Sequence, residues 1–423
     1  MLSAMTTPVL TSQATYEAQT AFVAELATRL HAYGTSAQRL EGAVSAVAHR
    51  LGLECEIWSN PTGIIFSFAD PVRGQHNGIT RVIRLEPGDQ NLGRLAATDA
   101  IAEDVLAGKL DLVSGFAALR ALDRPPSRRA QVLTALSFGL SAAAVAGLLS
   151  TDWPDVIASG SIGTLIGVLS VLAAGRPRLS EGLEAIAALI ATLLAAAVAT
   201  FIEPLSLKTV IVASLIVLMP GLTLTNAISE LSSQQLVSGT ARFAGALMSL
   251  MKLTFGTVAA MQLVRLLGWE PMEAVPQALT WQAEMAALLV ASYAFAVLFR
   301  ASGRDYPLVM ASVVLGYALT RVGGEVLGLA SDNFAGGAFF ASMGLAVVSN
   351  AYGRWFNRPG ALIRVPGIIL LVPGSVGFRS LNFVMERDVF LGLDTAFALL
   401  SALIALVAGL LFGNLILPSR RNL

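Results

Sequence analysis

The chain has 423 residues, with 28 basic and 28 acidic side chains and a charged fraction of only 13%. Soluble proteins carry about 25% charged residues, and 55% of this chain is hydrophobic, so a soluble single-domain enzyme is excluded. Zero net charge also excludes a basic nucleic-acid binder. Because 25 of the charged side chains fall within residues 1–129, the composition predicts a polytopic membrane protein with a soluble N-terminal domain.

Residues 1–125 are predicted to form this soluble α+β domain. Apolar spacing and turn residues give helices over 17–33 and 35–51, strands over 54–59, 63–69 and 79–85, and helices over 91–107 and 111–121. Gly34 ends the first helix, and Thr35 or Ser36 is expected to cap the second. Turn chemistry at Asn60-Pro61-Thr62-Gly63 predicts a hairpin. The first residues lack a basic and apolar leader, so this end is expected to stay in the cytoplasm.

The sequence gives weak support for catalytic activity in the N-terminal domain. Ser67, Asp70 and His76 lie near one another and suggest a hydrolase, but they are more simply a strand serine, a turn aspartate and a loop histidine. No nucleophile-elbow pattern accompanies them. Cys55 is the only cysteine, and no Cys/His group has metal-ligand spacing, so neither metal nor cofactor is expected. The domain's role stays open between catalytic, regulatory and structural.

Ten apolar stretches of spanning length are predicted after residue 129. They lie near 130–150, 156–174, 182–202, 207–222, 242–266, 281–299, 306–322, 333–353, 361–378 and 390–416. They divide into two halves of five, over 126–270 and 271–423. Most arginines fall in the connections on one side, which predicts a cytoplasmic N-terminal domain and a cytoplasmic C-terminus. Tryptophans at the predicted span ends agree with an interfacial belt.

A Pro-Gly pair recurs in the fourth stretch of each half, as Pro220-Gly221 and Pro373-Gly374. An odd number of spans per half reverses the second half across the membrane, which predicts inverted repeats. Proline removes a helical hydrogen bond, so the carbonyls of Ile216 and Ile369 should lose their helical partners. Broken helices in corresponding positions point to a substrate site, although each pair could instead simply end a helix at the interface.

Four charged residues within or beside the apolar stretches are candidates for the transport pathway. Lys252 is the most deeply placed, and Arg242 begins the same predicted helix. Charges in hydrocarbon are costly and usually functional, yet Lys252 could snorkel and Arg242 could be a cytoplasmic anchor. Glu284 and Glu325 are candidates for proton coupling, with exposed interfacial carboxylates as the alternative. No Walker-type motif suggests coupling to ATP.

Three segments resemble signatures of the threonine/serine exporter family. The first, YGTSAQRLEGAVSAVAHRLGLECEIWSNPTGIIFSF, resembles its N-terminal signature. VLMPGLTLTNAISELSSQQLVSGTARFAGAL resembles the first membrane signature, and RVPGIILLVPGSVGFRSL resembles the second. The matching positions are Pro220, Gly221, Asn226, Ser238, Gly239, Arg242, Pro366, Gly367, Pro373 and Gly374.

This resemblance covers nearly the whole chain and implies a non-enzymatic exporter of threonine and serine, driven by proton antiport. It implies a bacterial inner membrane and a pathway lined by the matching glycines, prolines and polar residues, with Lys252 added. The implied partners are the small substrate, protons and the lipid bilayer, without nucleic acid. Export of small dicarboxylates such as succinate is the alternative, together with a membrane-bound hydrolase. Assembly into homo-oligomers stays open.

Overall fold

A computed structural model describes residues 7–70, 74–149, 151–274, 279–326 and 335–419. The N-terminal part has four helices and three strands. In chain order they are α1 (Thr7–Ala32), α2 (Ala37–Arg50), β1 (Cys55–Asn60), β2 (Gly63–Asp70), β3 (Gly74–Arg84), α3 (Leu92–Leu106) and α4 (Leu112–Ala121). The α+β character and the element order predicted for this part are observed.

The strands form one antiparallel sheet in the order β1-β2-β3. Asn60 pairs with Gly63, which confirms the predicted hairpin. Alternation along β2 turns Ile64, Phe66 and Phe68 inward, where each is fully buried against α1 and α2. The sheet and helices therefore enclose a core that belongs to this domain.

The remainder is helical. It comprises α5 (Arg128–Leu148), α6 (Trp153–Ala173), α7 (Pro177–Glu181), α8 (Leu183–Phe201), α9 (Leu207–Leu215), α10 (Gly221–Ser232), α11 (Leu236–Leu266), α12 (Trp281–Leu298), α13 (Tyr306–Arg321), α14 (Ala335–Phe356), α15 (Ala361–Ile368), α16 (Gly374–Met385) and α17 (Val389–Ile416). A 3₁₀ turn, Ile216–Leu218, follows α9, another, Gly303–Asp305, precedes α13, and a π-helical turn, Val322–Val326, follows α13.

Seven helices of the described chain are long and apolar enough to cross a membrane. The pair made of Leu207–Leu218 and Gly221–Ser232 is bent by 60° and counts as an eighth span if it crosses as one element. The chain is thus a multi-pass membrane protein. The predicted spans at 333–353 and 361–378 correspond to α14 and to the α15–α16 pair, which do not meet the same length and apolarity criterion. The count of ten is therefore not confirmed.

Helix packing in the first block, α5 to α11, has a counterpart in the second block, α12 to α17. Helix α8 packs on α11 as α14 packs on α17, and α6 contacts α9 as α13 contacts α15. The short helices α10 and α16 each pack on the last helix of their own block and also touch the last helix of the other. Each broken element is thus held between the two blocks.

The N-terminal domain docks directly on the helical part. At the start of α3, Leu92 N donates to Phe299 O at 2.9 Å and Gly93 N donates to Arg300 O at 3.1 Å, just past the end of α12. Ala361 of α15 belongs to the apolar core of the domain. The ends of α12 and α15 that lie beside this domain are therefore on one side of the molecule.

Candidate functional site

The two Pro-Gly pairs have the same backbone geometry. Pro220 has φ −80° and ψ 43°, and Pro373 has φ −85° and ψ 39°. Gly221 N donates to Met219 O at 2.8 Å, and Gly374 N donates to Val372 O at 3.0 Å. Each pair opens a helix of 12 residues. The recurrence noticed in the sequence is therefore also a recurrence of conformation.

The two pairs also meet in space. A Cβ built on Gly374 would lie 3.1 Å from both Cα and N of Gly221, and a Cβ on Gly221 would overlap Cγ1 of Val372. A Cβ at Gly374 would press on the Gly221 backbone, so this close approach favours glycine at both positions. Because α10 and α16 both begin here, the positive ends of two helix dipoles converge at one point. The sequence predicted two breaks in corresponding positions, and the structure brings them into contact.

The prediction that Ile216 loses its helical partner is only partly correct. Its carbonyl accepts a bond from Met219 N at 3.3 Å, because the chain tightens into a 3₁₀ turn before Pro220. The hydroxyl of Thr225 donates to Gly221 O at 3.1 Å on the other side of the break. The break is thus bonded internally rather than left with an open carbonyl at Ile216.

A cavity of about 140 Å³ lies beside α10, between the N-terminal domain and the helical part. The domain contributes residues from the turn before α2 and from its first turn, and the helical part contributes α10, α15 and α17. Its polar lining includes Thr35, Arg39, Thr225, Asn226, Ser229 and Arg364. Of the pathway residues predicted from the sequence, Asn226 therefore lines the cavity directly, on the same short helix as Gly221.

The charged side chains that line this cavity are positive. Arg39 and Arg364 line it, whereas none of the described lining residues is an aspartate or a glutamate. Within the described part of the chain, the Arg39 guanidinium has no hydrogen bond or ion pair, and burial lowers its pKa to about 10. The hydroxyl of Thr35 is buried and also finds no partner among the described residues. The cavity thus presents positive charge and a free hydroxyl group.

Glu230, at the end of α10, is a site residue that sequence reasoning missed. It is 1% exposed, and both of its carboxylate oxygens accept from Arg242 Nε at 3.0 Å. Ser238 Oγ donates to it at 2.7 Å, and the backbone N–H of Ala37 in α2 donates at 2.9 Å. The available signal was that Glu230 is the only charged residue between Lys208 and Arg242, twelve positions before Arg242. Arg242, predicted to line the pathway, is paired with this carboxylate.

The remaining small residues of the motifs lie at close helix contacts. A Cβ on Gly239 would come within 2.9 Å of Leu231 N, where α11 crosses α10. Pro366 and Gly367 are buried inside α15, and a Cβ on Gly367 would lie 3.2 Å from Ser312 O of α13. These positions fix the packing of the elements that line the cavity.

Lys252 lies away from the cavity. Its Nζ donates to Glu181 O at 2.8 Å and lies 3.5 Å from Glu184 Oε2, so it ties α11 to the turn before α8. The side chain is 35% exposed. These contacts are expected of a lysine whose long side chain carries its charge to a helix end.

The two carboxylates predicted for proton coupling are separate from the cavity lining as well. Glu284 is 28% exposed and accepts from Arg321 Nη1 at 2.8 Å and from the hydroxyl of Tyr317. The side chain of Glu325 lies outside the described residues. Glu284 thus belongs to an ion pair between α12 and α13.

The hydrolase alternative gains no support from the described residues. Ser67 lies on β2 opposite Glu56 and Thr80, with its side chain exposed. The side chains of Asp70 and His76 lie outside the described residues. The described part of the chain contains no group of three or more His, Cys, Asp or Glu residues that could hold a metal ion.

Fold and site together define a multi-pass membrane protein in which two broken helices meet beside a cavity that the N-terminal domain closes. Two profiles of the threonine/serine exporter family match the chain, one over residues 21–264 and the other over residues 284–416. The chain belongs to this family. The order of the two matches is the order in which the two membrane signatures occur in the sequence.

Curated relatives are distant and longer. The chain is 21% identical to pheromone-regulated membrane protein 10 of Eremothecium gossypii, over 85% of this chain and 48% of that protein. It is 22% identical to the protein of the same name in Debaryomyces hansenii, over 85% and 36% of the two chains. An uncharacterized protein of Schizosaccharomyces pombe is 23% identical over 90% and 45%. The chain thus spans half or less of these relatives. No solved structure matches it.

Proposed function

We propose that the chain exports threonine and serine by secondary active transport coupled to proton antiport. The observation that carries this proposal is the contact between Gly221 and Gly374 beside a polar cavity. Transporters commonly bind substrate where discontinuous helices from two repeats meet, because the helix ends supply unpaired polar groups. Alternating access would then be a rocking of one block against the other about this contact.

Ten spans in two inverted five-helix halves form part of the proposal. It is supported by the counterpart packing of the two blocks and by the equal geometry of their Pro-Gly pairs. Helix α14 and the α15–α16 pair would be the two spans beyond the eight that length and composition indicate. The second half would then repeat the first with the opposite direction across the membrane.

The proposed location is a bacterial inner membrane, with the N-terminal domain and the C-terminus in the cytoplasm. Support comes from Arg300, in a predicted cytoplasmic connection, and from Phe299 and Ala361, at the predicted cytoplasmic ends of two spans, since all three contact the N-terminal domain. Lys208 and Glu386, both in predicted outer connections, form an ion pair of 3.2 Å. Independent contacts thus agree with the side that the arginine distribution favours.

A bound amino acid would use both kinds of group near the cavity. The cations and the N-terminal end of α10 suit the substrate carboxylate. The amide oxygen of Asn226 and the hydroxyls of Thr225 and Ser229 can accept from its ammonium and bond its hydroxyl. Glu284 remains the proposed proton-coupling carboxylate, together with Glu325.

Export of small dicarboxylates is the second candidate, and the charge of the cavity favours it. Arg39 and Arg364 match two carboxylates, whereas an ammonium finds no carboxylate partner in the lining. A buried cation without a partner is costly, so a dianion would relieve both arginines. The two candidates differ in substrate charge and share the same site.

Counterflow in proteoliposomes tests both candidates. Vesicles are loaded with unlabelled threonine, serine or succinate, and uptake of the labelled compound is followed with and without a pH gradient. Threonine and serine exchange that responds to the pH gradient supports the first proposal, and exchange of succinate alone selects the second. Absence of exchange for all three compounds by protein that is folded and reconstituted would overturn both.

A further inference from the structure

We infer that the soluble domain supplies part of the substrate site: Arg39 of α2 and Arg364 of α15 bind a small carboxylate together in the cavity between the two domains. This inference rests on the proposed transport function for its physiological meaning. The binding site itself is a statement about the cavity and can be tested without transport.

The first support is the position of Arg39. It lies in the first turn of α2, on the domain side of the cavity, and Arg364 lies on the membrane side in α15. Two cations that line one cavity of about 140 Å³ repel each other unless an anion lies between them. None of the described lining residues carries a carboxylate, so a bound small anion would be the group that pairs with both arginines.

The second support is the hydroxyl of Thr35, which precedes α2. This residue is only 8% exposed and lines the cavity, and its Oγ1 has no hydrogen-bond partner within the described chain. Buried hydroxyls are normally bonded. A carboxylate in the cavity would accept hydrogen bonds from the Thr35 hydroxyl and from the two guanidinium groups. One ligand would thus supply partners for both the Thr35 hydroxyl and the Arg39 guanidinium.

The third support is the way in which α2 is held in place. Its first N–H, from Ala37, donates to the buried carboxylate of Glu230 on α10. Gln235 Nε2 donates to Glu41 Oε2 at 2.6 Å, one turn further along α2. Arg39 lies between these two contacts. Its backbone is therefore fixed to the membrane part by bonds on both sides, as positioning of a ligand group requires.

The ligand is a small carboxylate, either an amino acid or a dicarboxylate. Arginine offers paired N–H groups that match the two oxygens of a carboxylate. The cavity has room for a compound of a few heavy atoms. Inorganic phosphate is another small anion that arginines bind, and it serves as the competing ligand in the test.

The experiment measures binding of labelled succinate and labelled threonine to the full chain purified in detergent. Arg39→Gln should weaken binding of the preferred compound at least tenfold, Arg364→Gln should do the same, and Arg39→Lys should retain part of the affinity. Arg50→Gln is the matched control, because Arg50 lies on the same helix with an exposed side chain outside the cavity lining. It should bind as the unaltered protein does.

Thermal stability without ligand separates ligand binding from a structural role. Arg39→Gln removes a half-buried charge that has no partner among the described residues, so its melting temperature should equal or exceed that of the unaltered protein. A lower melting temperature together with unchanged affinity would assign Arg39 a structural role and overturn the inference. Binding of phosphate in preference to both carboxylates would overturn the ligand assignment.

Failure of this inference is distinguishable from failure of the proposed function. Arg39→Gln protein that binds and exchanges substrate normally places the substrate site elsewhere, while transport stands. Carboxylate binding that depends on Arg39, in a protein without exchange activity, supports the site and contradicts the transport function.

Discussion

The backbone N–H of Ala37 donates to Oε1 of Glu230 at 2.9 Å, across the boundary between the soluble domain and the membrane part. Ser36 occupies the N-cap position of α2, but its side chain makes no capping bond. A carboxylate from α10, 193 residues away in the chain, replaces it. A negative charge at a helix N-terminus is also favoured by the helix dipole. Helix α2 is therefore completed only when the domain is docked.

Glu230→Gln should loosen this docking. The substitution keeps the shape but removes the charge that Arg242 pairs with, and a buried partner left without its counter-ion is costly, so we expect a loss of about 2 kcal/mol in stability. Arg242 is 13% exposed, which keeps the loss below that of a fully buried pair. Thermal unfolding and protease cleavage between residues 122 and 127 measure it.

Glu86→Gln is the control for this change, because Glu86 is an exposed carboxylate of the same domain. It should leave both unfolding and cleavage unchanged. Cleavage of Glu230→Gln at the rate of the unaltered protein would show that the Ala37 bond contributes little to docking.

Alanine at Gly374 should reduce transport severely while expression persists. Its Cβ would press on the backbone of Gly221, which cannot move aside as a side chain can. Alanine at Gly221 meets the side chain of Val372 instead, so Val372→Ala should restore part of the transport lost in Gly221→Ala. Counterflow rates report all three variants.

Gly245→Ala is the matched helical control, because a Cβ at that position meets nothing within 4 Å. We expect it to transport normally and to be slightly more stable, since alanine favours helix. Normal transport by Gly374→Ala would mean that the contact of the two breaks has no functional role.

Acid should destabilise the soluble domain through His31. Burial lowers the pKa of this histidine, and the nearby positive charge of Arg242 lowers it further. As pH falls below about 6.5, the unfolded chain takes up a proton that the folded domain does not, so stability is lost by up to about 1.4 kcal/mol per pH unit. Hydrogen exchange of β2 amides between pH 8 and pH 5 measures the slope.

His31→Gln should flatten this slope, whereas His49→Gln, at an exposed position of α2, should leave it unchanged. The imidazole Nε2 of His31 lies 3.1 Å from Asn60 O, so the variant is expected to be less stable at neutral pH. An equal slope in the His31 variant would assign the acid response to other groups.

Lys252→Met should leave substrate affinity unchanged. The ammonium of Lys252 bonds a carbonyl at the end of α7 and faces Glu184 at 3.5 Å, and such a partly exposed pair contributes at most about 1 kcal/mol. Counterflow and thermal unfolding on the same sample test this. Poor transport with normal stability would indicate that Lys252 does belong to the transport pathway.

Reporter domains fused after Asp152 and after Pro418 should lie on opposite sides of the membrane. Arg354 Nε donates to Pro418 O at 2.9 Å, which connects that end to a predicted cytoplasmic connection. Alkaline phosphatase and fluorescent protein fusions report the two sides. Fusions that report the same side at both positions would exclude the ten-span arrangement.

Local chemistry explains which features could be predicted from the sequence. The hairpin at Asn60 and the breaks at Pro220 and Pro373 depend on residues that restrict their own backbone, so a single chain segment is informative. Their recurrence at matching positions then suggested that they act together. Asn226 was found differently, through its match to the family's first membrane signature, in which it follows the first break.

Features that depend on docking could not be found in this way. Arg39 looks like an ordinary helical arginine until α15 places Arg364 across the cavity. Ser36 has the right residue type for a cap, but Glu230 takes that role because the domain lies against α10. Lys252 was singled out by hydropathy, which does not register that its long stem reaches a helix end.

The N-terminal domain is attached to both blocks by hydrogen bonds that its backbone N–H groups donate. Helix α2 is attached to α10 in the first block through Ala37, and α3 is attached to the end of α12 in the second block through Leu92 and Gly93. A rigid domain bonded to both blocks cannot keep both attachments while the blocks rotate relative to each other. If the blocks rock against each other in the proposed transport cycle, each cycle must release one attachment, and its rate cannot exceed the rate at which that attachment opens.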